Sequence, residues 1–93
     1  MTIIQKLKKL KKDLKERFGI EEFALIGSYA RGEETKDSDI DIVILKIKQK
    51  DYFKRVNAKY FLEKKLQKKV DIGYYDSIRP IIKEEIKKDM IYV

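Results

Sequence analysis

Apolar residues recur along this chain with two different periods, which predict alternating helices and strands. Near the N-terminus they return every three or four residues with lysines between them, the spacing of one face of an amphipathic helix. This helix is predicted from about Thr2 to Arg17, because Gly19 follows where glycine commonly ends a helix. A second long helix is predicted over Asp51 to Lys68. Its expected core positions are Phe53, Val56, Tyr60, Phe61 and Leu66.

Shorter apolar runs predict strands. Three such runs are Phe23 to Ile26, Asp39 to Leu45 and Val70 to Tyr74. A brief helix over Tyr29 to Arg31 and a polar loop from Gly32 to Ser38 separate the first two.

The C-terminal part completes the predicted order of elements. A last helix is expected over about Ile78 to Lys88, with Pro80 in its first turn, and residues 91–93 add a short strand. This order predicts one α/β (α+β) domain over residues 1–93. It would have a small mixed sheet of three to four strands, with helices packed on one face and the other face open to a ligand.

Composition supports one folded domain and excludes the catalytic and structural roles that need cysteine or histidine. The chain has 93 residues, of which 43% are hydrophobic, so it is long enough for one core and too short for two domains. It has no cysteine and no histidine, which excludes thiol nucleophiles, histidine acid–base catalysis, zinc fingers and disulfides. No apolar run approaches the ~20 residues of a membrane span and no signal-peptide pattern is present, so we expect a cytoplasmic protein.

The net charge of +7 is unevenly distributed. Residues 1–20 carry +5 and residues 46–69 carry +8, whereas the rest of the chain carries −6. Asp39, Asp41 and Asp71 all fall in this acidic remainder. The basic segments suit RNA, DNA or an acidic protein, and equally they suit ordinary solvated helix faces.

The residues around the first two strands carry the candidate chemistry. A Gly27-Ser28 turn offers backbone N–H groups and a hydroxyl to a phosphate chain. Asp39 and Asp41 are two residues apart in a predicted strand, so their side chains point the same way, about 6.6 Å apart. Such carboxylates repel each other unless a cation lies between them, and Mg²⁺ takes oxygen ligands and accompanies nucleotide phosphates. Together these features favour nucleotidyl transfer.

Two further residues leave alternatives open. Asp71 is an ordinary surface aspartate unless its strand lies beside that of Asp39. In that case three carboxylates would converge and hold two Mg²⁺ ions about 4 Å apart. Arg31 either contacts phosphate or braces the loop by pairing with an acid such as Asp37 or Asp39.

The segment Gly27-Ser28-Tyr29-Ala30-Arg31-Gly32, followed by Ser38-Asp39-Ile40-Asp41-Ile42, resembles the signature of the polymerase-beta-type nucleotidyltransferases. In its length the chain resembles the minimal nucleotidyltransferases (MNT). These proteins act with a HEPN-domain partner as prokaryotic toxin–antitoxin pairs. The resemblance implies that Gly27 and Ser28 hold the triphosphate of ATP and that Asp39 and Asp41 bind two Mg²⁺ ions. It implies that Asp71 binds the catalytic metal and accepts a proton from the attacking hydroxyl. Arg31 also falls on a motif position.

The resemblance further implies a protein adenylyltransferase (AMPylating) activity. Its acceptor would be a tyrosine of a HEPN RNase toxin, which makes the chain an antitoxin. The short chain has no room for an acceptor-binding domain, which also favours a macromolecular acceptor. One alternative is an antitoxin that acts by contact alone, and three intact carboxylates argue against it. The other is nucleotidyl transfer to RNA, which an apparent lack of clustered exposed aromatic residues weakens.

Overall fold

The computed structural model describes residues 1–93 and contains every predicted element. The helices are α1 (Ile3–Phe18), α2 (Gly27–Arg31), α3 (Tyr52–Leu66) and α4 (Pro80–Lys87). The strands are β1 (Ile20–Ile26), β2 (Ile40–Ile47), β3 (Val70–Tyr74) and β4 (Ile91–Tyr92). A short 3₁₀ helix, Tyr75–Ser77, follows β3. None of the helices has the length and apolar character needed to cross a bilayer.

Side-chain caps fix where the two long helices begin. At the start of α1, Gln5 N donates to Thr2 Oγ1 (3.1 Å) and Thr2 N donates to Gln5 Oε1 (2.9 Å), so two otherwise unpaired N–H groups are satisfied. At the start of α3, Lys54 N donates to the carboxylate of Asp51 (3.1 Å). Because both caps are local, the helix boundaries follow closely from the sequence.

The four strands form one mixed sheet in the order β3-β2-β1-β4. β2 and β3 are parallel, whereas β1 is antiparallel to both β2 and β4. The predicted mixed sheet is therefore confirmed. β1 begins earlier than predicted, at Ile20, and its register with β2 is irregular near Glu22.

The hydrophobic core lies between one face of the sheet and helices α1 and α3. It contains alternate residues of β2 and β3, as the period of two requires, and of β1 beyond the irregularity near Glu22. The buried members are Leu7, Leu14, Phe18, Ile20, Phe23, Leu25, Ile40, Ile42, Ile44, Ala58, Leu62, Leu66, Val70 and Ile72.

The opposite face of the sheet carries the aspartates. Over the middle of β1 and β2 this face is covered, because Ala24 and Val43 are buried. At the aspartates it is open, since Asp39 and Asp71 are exposed and Asp41 is half-buried. The part of the face that remains accessible is therefore the part with the candidate chemistry.

The predicted core face of α3 is partly wrong. Phe53 and Tyr60, expected in the core, are 74% and 59% exposed. The residues that α3 buries completely are Ala58 and Leu62, which the prediction omitted. Because large apolar side chains occur on both sides of this helix, its pattern does not define one buried face.

Candidate active site

The turn between β1 and α2 lies directly against Asp41. α2 starts at Gly27, with no linking residue after Ile26, the β1 residue that pairs with Asp41. Gly27 has φ +76°, and a Cβ added there would collide with Asp41 Oδ2 and lie 3.2 Å from Asp41 Cγ. A side chain at this position is therefore excluded by both the backbone conformation and the space available.

The sheet brings the three predicted carboxylates to one region. Asp41 and Asp71 are direct partners in the parallel register of β2 and β3, strands that lie about 4.8 Å apart. Asp39 immediately precedes β2, two residues before Asp41. The condition under which Asp71 becomes relevant, a strand beside that of Asp39, is thus met.

Burial and nearby negative charges both act on Asp41. Its pKa is raised above the ordinary value, first because burial disfavours the charged form and then because the charges of Asp71 and Asp39 repel its own. Arg31 acts in the opposite direction but does not cancel this effect. The site is therefore one that a bound cation would stabilise.

The donor set fits Mg²⁺ in chemical type, because it consists of carboxylate oxygens, the ligands that hard cations prefer. No group of three acidic side chains lies close enough together to hold one ion. Asp39 and Asp71 are exposed, so neither side chain is fixed by the packing of the core. The assignment of Asp39, Asp41 and Asp71 as metal ligands stays a prediction.

Arg31 pairs with an acid, but with a different one from those predicted. Its Nε donates to Glu33 Oε1 at 2.8 Å, whereas the sequence pointed to Asp37 or Asp39. This hydrogen bond raises the pKa of Arg31, and the charges of Asp89 and Asp41 contribute to the same effect. The guanidinium thus lies within electrostatic range of Asp41 while its Nε is held by Glu33. A phosphate role for Arg31 stays a prediction.

Two open clefts flank the turn and the carboxylates. One, of about 350 Å³, is lined by residues 36–39 and 67–69. In this loop Thr35 N donates to Ser38 Oγ (2.9 Å) and Ser38 N donates to Thr35 O (3.1 Å), so Ser38 organises the turn before β2.

The other cleft, of about 360 Å³, includes residues that sequence reasoning missed. Ile26, Gly27 and Arg31 line one side of it. The end of α4 supplies the rest, Glu85, Ile86 and Asp89. No motif marks these three residues, and only the pairing of β4 with β1 brings α4 to the Gly27 turn.

Replacing Asp41 by asparagine is expected to raise the melting temperature in buffer containing EDTA. The substitution is nearly isosteric and removes a partly buried charge that Asp71 and Asp39 repel. Asp37→Asn is the matched control, because Asp37 is exposed and does not contribute to the pKa shift of Asp41. Calorimetric melting of the three proteins measures the effect. A lower melting temperature for Asp41→Asn than for Asp37→Asn would contradict the electrostatic account.

The structure thus places a glycine turn against paired carboxylates on adjacent strands, and comparison with known proteins shows which family has this fold. The chain belongs to the nucleotidyltransferase family, since residues 7–93 match the family described as Nucleotidyltransferase domain. The chain is therefore a nucleotidyltransferase with a nucleotide substrate.

Individual relatives confirm the resemblance to minimal nucleotidyltransferases. A Methanocaldococcus jannaschii protein, provisionally named a protein adenylyltransferase, is 42% identical over 88 residues, 94% of this chain and 90% of the relative. Protein adenylyltransferase MntA of Thermococcus cleftensis is 35% identical over 83 residues, 89% of this chain and 84% of the relative. A solved toxin–antitoxin structure with AMP-PNP has a TM-score of 0.76 at 25% identity, covering 95% of this chain and 69% of that one.

Proposed function

We propose that this chain is a Mg²⁺-dependent protein adenylyltransferase. It transfers AMP from ATP to a tyrosine hydroxyl of a HEPN-domain RNase toxin and so acts as the antitoxin of that toxin. The observation that carries the proposal is the contact of the Gly27 turn with Asp41, which is itself in register with Asp71. Two kinds of similarity support the choice of nucleotide and acceptor. The relatives in sequence are named protein adenylyltransferases, and a similar solved structure is a toxin–antitoxin structure with AMP-PNP.

The turn and the carboxylates have different roles in the proposed reaction. Gly27 and Ser28 receive the triphosphate, because backbone N–H groups and a hydroxyl are available there without an intervening side chain. Asp39, Asp41 and Asp71 would hold Mg²⁺, and a bound ion would neutralise phosphate charge and lower the pKa of the attacking hydroxyl. Positioning and electrostatic stabilisation by these residues provide most of the catalysis.

The chemical step exchanges one phosphorus–oxygen bond for another. The acceptor oxygen bonds to the α-phosphorus while the bond from that phosphorus to the β-phosphate bridging oxygen breaks, and pyrophosphate leaves. Asp71 takes the proton that the hydroxyl loses. Since Asp71 is exposed, a tyrosine on the surface of another protein can approach it from solvent.

Transfer of a label from ATP tests the proposal. The protein is incubated with Mg²⁺, ATP labelled at the α-phosphate and the purified product of the neighbouring gene. We expect the label on the partner protein, dependent on Mg²⁺ and abolished by EDTA. Label on RNA instead would favour the RNA acceptor, and no transfer to any acceptor would contradict the proposed activity.

A further inference from the structure

The outer side of α3 carries aromatic residues that this chain does not cover. Four residues at spacing i, i+4, i+7 and i+11 lie on one side of the helix: Phe53, Asn57, Tyr60 and Lys64. This stripe is opposite the buried Ala58 and Leu62. With Phe53 74% and Tyr60 59% exposed, the stripe adds nothing to the core. Exposed aromatic side chains grouped in this way indicate a contact surface for another molecule.

A groove runs beside the stripe, between α1 and α3. It has a volume of about 520 Å³, and its floor includes Phe18 and Phe61, whose ring centroids are 5.4 Å apart. Its rim carries three cations, Arg17, Lys64 and Lys65, and no acidic residue lines it. The groove therefore offers apolar contact surrounded by uncompensated positive charge.

We propose that this surface, the α3 stripe with its groove, docks the acceptor protein through a helix that carries acidic side chains. The inference rests on the proposed function only for the identity of the partner as the acceptor. Alternating steps of four and three residues are the spacing at which one helix packs along another. Aromatic residues and arginine are also the side chains that contribute most to protein interfaces, and a cationic rim selects an acidic partner.

Part of the aromatic surface is already in contact with neighbouring side chains, which favours a protein over a nucleic acid as the occupant. A base-stacking surface needs free aromatic faces. In this structure the Arg17 guanidinium lies 4.8 Å from the centroid of Phe61, and Tyr52 packs edge-on against Phe53 at 5.5 Å. Lys59 Nζ lies 5.8 Å from the ring centroid of Tyr60. The sequence predicted a lack of clustered exposed aromatic residues, and Phe53 and Tyr60 show that α3 does expose aromatic side chains on one side.

The docking surface and the catalytic carboxylates are on opposite sides of the sheet. α3 packs on the core face, whereas Asp41 and Asp71 belong to the other face. The chain measures 32 × 30 × 18 Å, so an extended segment of about ten residues, reaching ~33 Å, can pass from one side to the other. Docking and catalysis are therefore separable, and the proposal requires the acceptor tyrosine to lie on an extended segment of the docked partner.

The test measures binding of the purified product of the neighbouring gene to variants of the full chain. Phe53→Ala combined with Tyr60→Ala is expected to raise the Kd at least tenfold, with unchanged circular dichroism because both side chains are exposed. Lys64→Glu, a single exposed change, is expected to weaken binding in the same direction. Tyr92→Ala is the matched control, since Tyr92 is 68% exposed on β4, away from this surface.

Transfer kinetics separate this inference from the proposed function. For the Phe53/Tyr60 double variant we expect a higher KM for the partner and an unchanged kcat, because the aspartates are untouched. An unchanged Kd in both variants, with AMP transfer intact, would overturn the docking surface and leave the proposed function standing. Weaker binding without AMP transfer by the wild-type chain would support the docking surface and contradict the proposed function.

Two other outcomes would show that the surface binds a molecule other than the acceptor protein. Loss of binding to a single-stranded RNA 12-mer, with partner binding retained, would assign the surface to nucleic acid. A concentration-dependent dimer of the chain alone that the double variant abolishes would assign it to a second copy. Analytical ultracentrifugation of the purified chain measures the latter.

Discussion

Replacing Gly27 by alanine is expected to weaken binding of a non-hydrolysable ATP analogue at least about a hundredfold, equivalent to about 3 kcal/mol. Alanine at φ +76° is strained by about 1–2 kcal/mol, and its Cβ would collide with Asp41 Oδ2. Relief of the collision requires the turn or the Asp41 carboxylate to move. Either movement separates the turn proposed to bind phosphate from the carboxylate that it contacts.

Gly32→Ala provides a control for backbone strain alone. Gly32 has φ +70°, but a Cβ added there has no neighbour within 4 Å. The substitution should therefore cost folding stability without a large loss of nucleotide affinity. Ser28→Ala, which removes one hydroxyl and keeps the backbone donors, should cost about 1–2 kcal/mol of binding free energy.

Isothermal titration with the analogue measures all three variants. If Gly27→Ala and Gly32→Ala bind the analogue with the same affinity, the contact with Asp41 has no part in nucleotide binding. If Gly27→Ala binds as tightly as wild type, the turn does not hold the phosphates.

The sequence was most informative where structure depends on local interactions. The first helix follows from its apolar period, and the Gly27 turn and Asp41 follow from residues close together in the chain. The predicted neighbourhood of Asp71 depended on an assumed strand order, and the parallel pairing of β2 with β3 confirms it. The register that places Asp71 opposite Asp41 is set by the packing of Ile40, Ile42 and other core residues, which the chemical motif does not encode.

Prediction was weaker where a residue has several possible neighbours. Phe53 and Tyr60 were predicted in the core, yet the fully buried residues of α3 are the smaller Ala58, Leu62 and Leu66. Four acidic residues follow Arg31 between positions 33 and 39, and the αL turn at Gly32 brings Glu33 to its Nε. Glu85 and Asp89 approach the site through the sheet order alone, so no local pattern indicated them.

Replacing Asp71 by asparagine is expected to lower the rate of AMP transfer by a factor of about 10²–10⁴ without loss of partner binding. The exposed side chain keeps its shape, but it loses the charge proposed to hold Mg²⁺ and the carboxylate oxygen proposed to accept the proton. Asp76→Asn is the control. Asp76 is also an exposed aspartate, and it pairs on the surface with Lys50 at 2.9 Å, an interaction that contributes little to stability.

The most direct test of enzymatic antitoxin action combines growth with intact mass spectrometry. Cells that express the partner toxin are supplied with the wild-type chain, Asp71→Asn or Asp76→Asn, and the toxin is then purified and weighed. The account predicts growth and an adenylylated toxin with wild type and Asp76→Asn, and neither with Asp71→Asn although it still binds the toxin. Growth with Asp71→Asn and an unmodified toxin would contradict the account and show that contact alone neutralises the toxin.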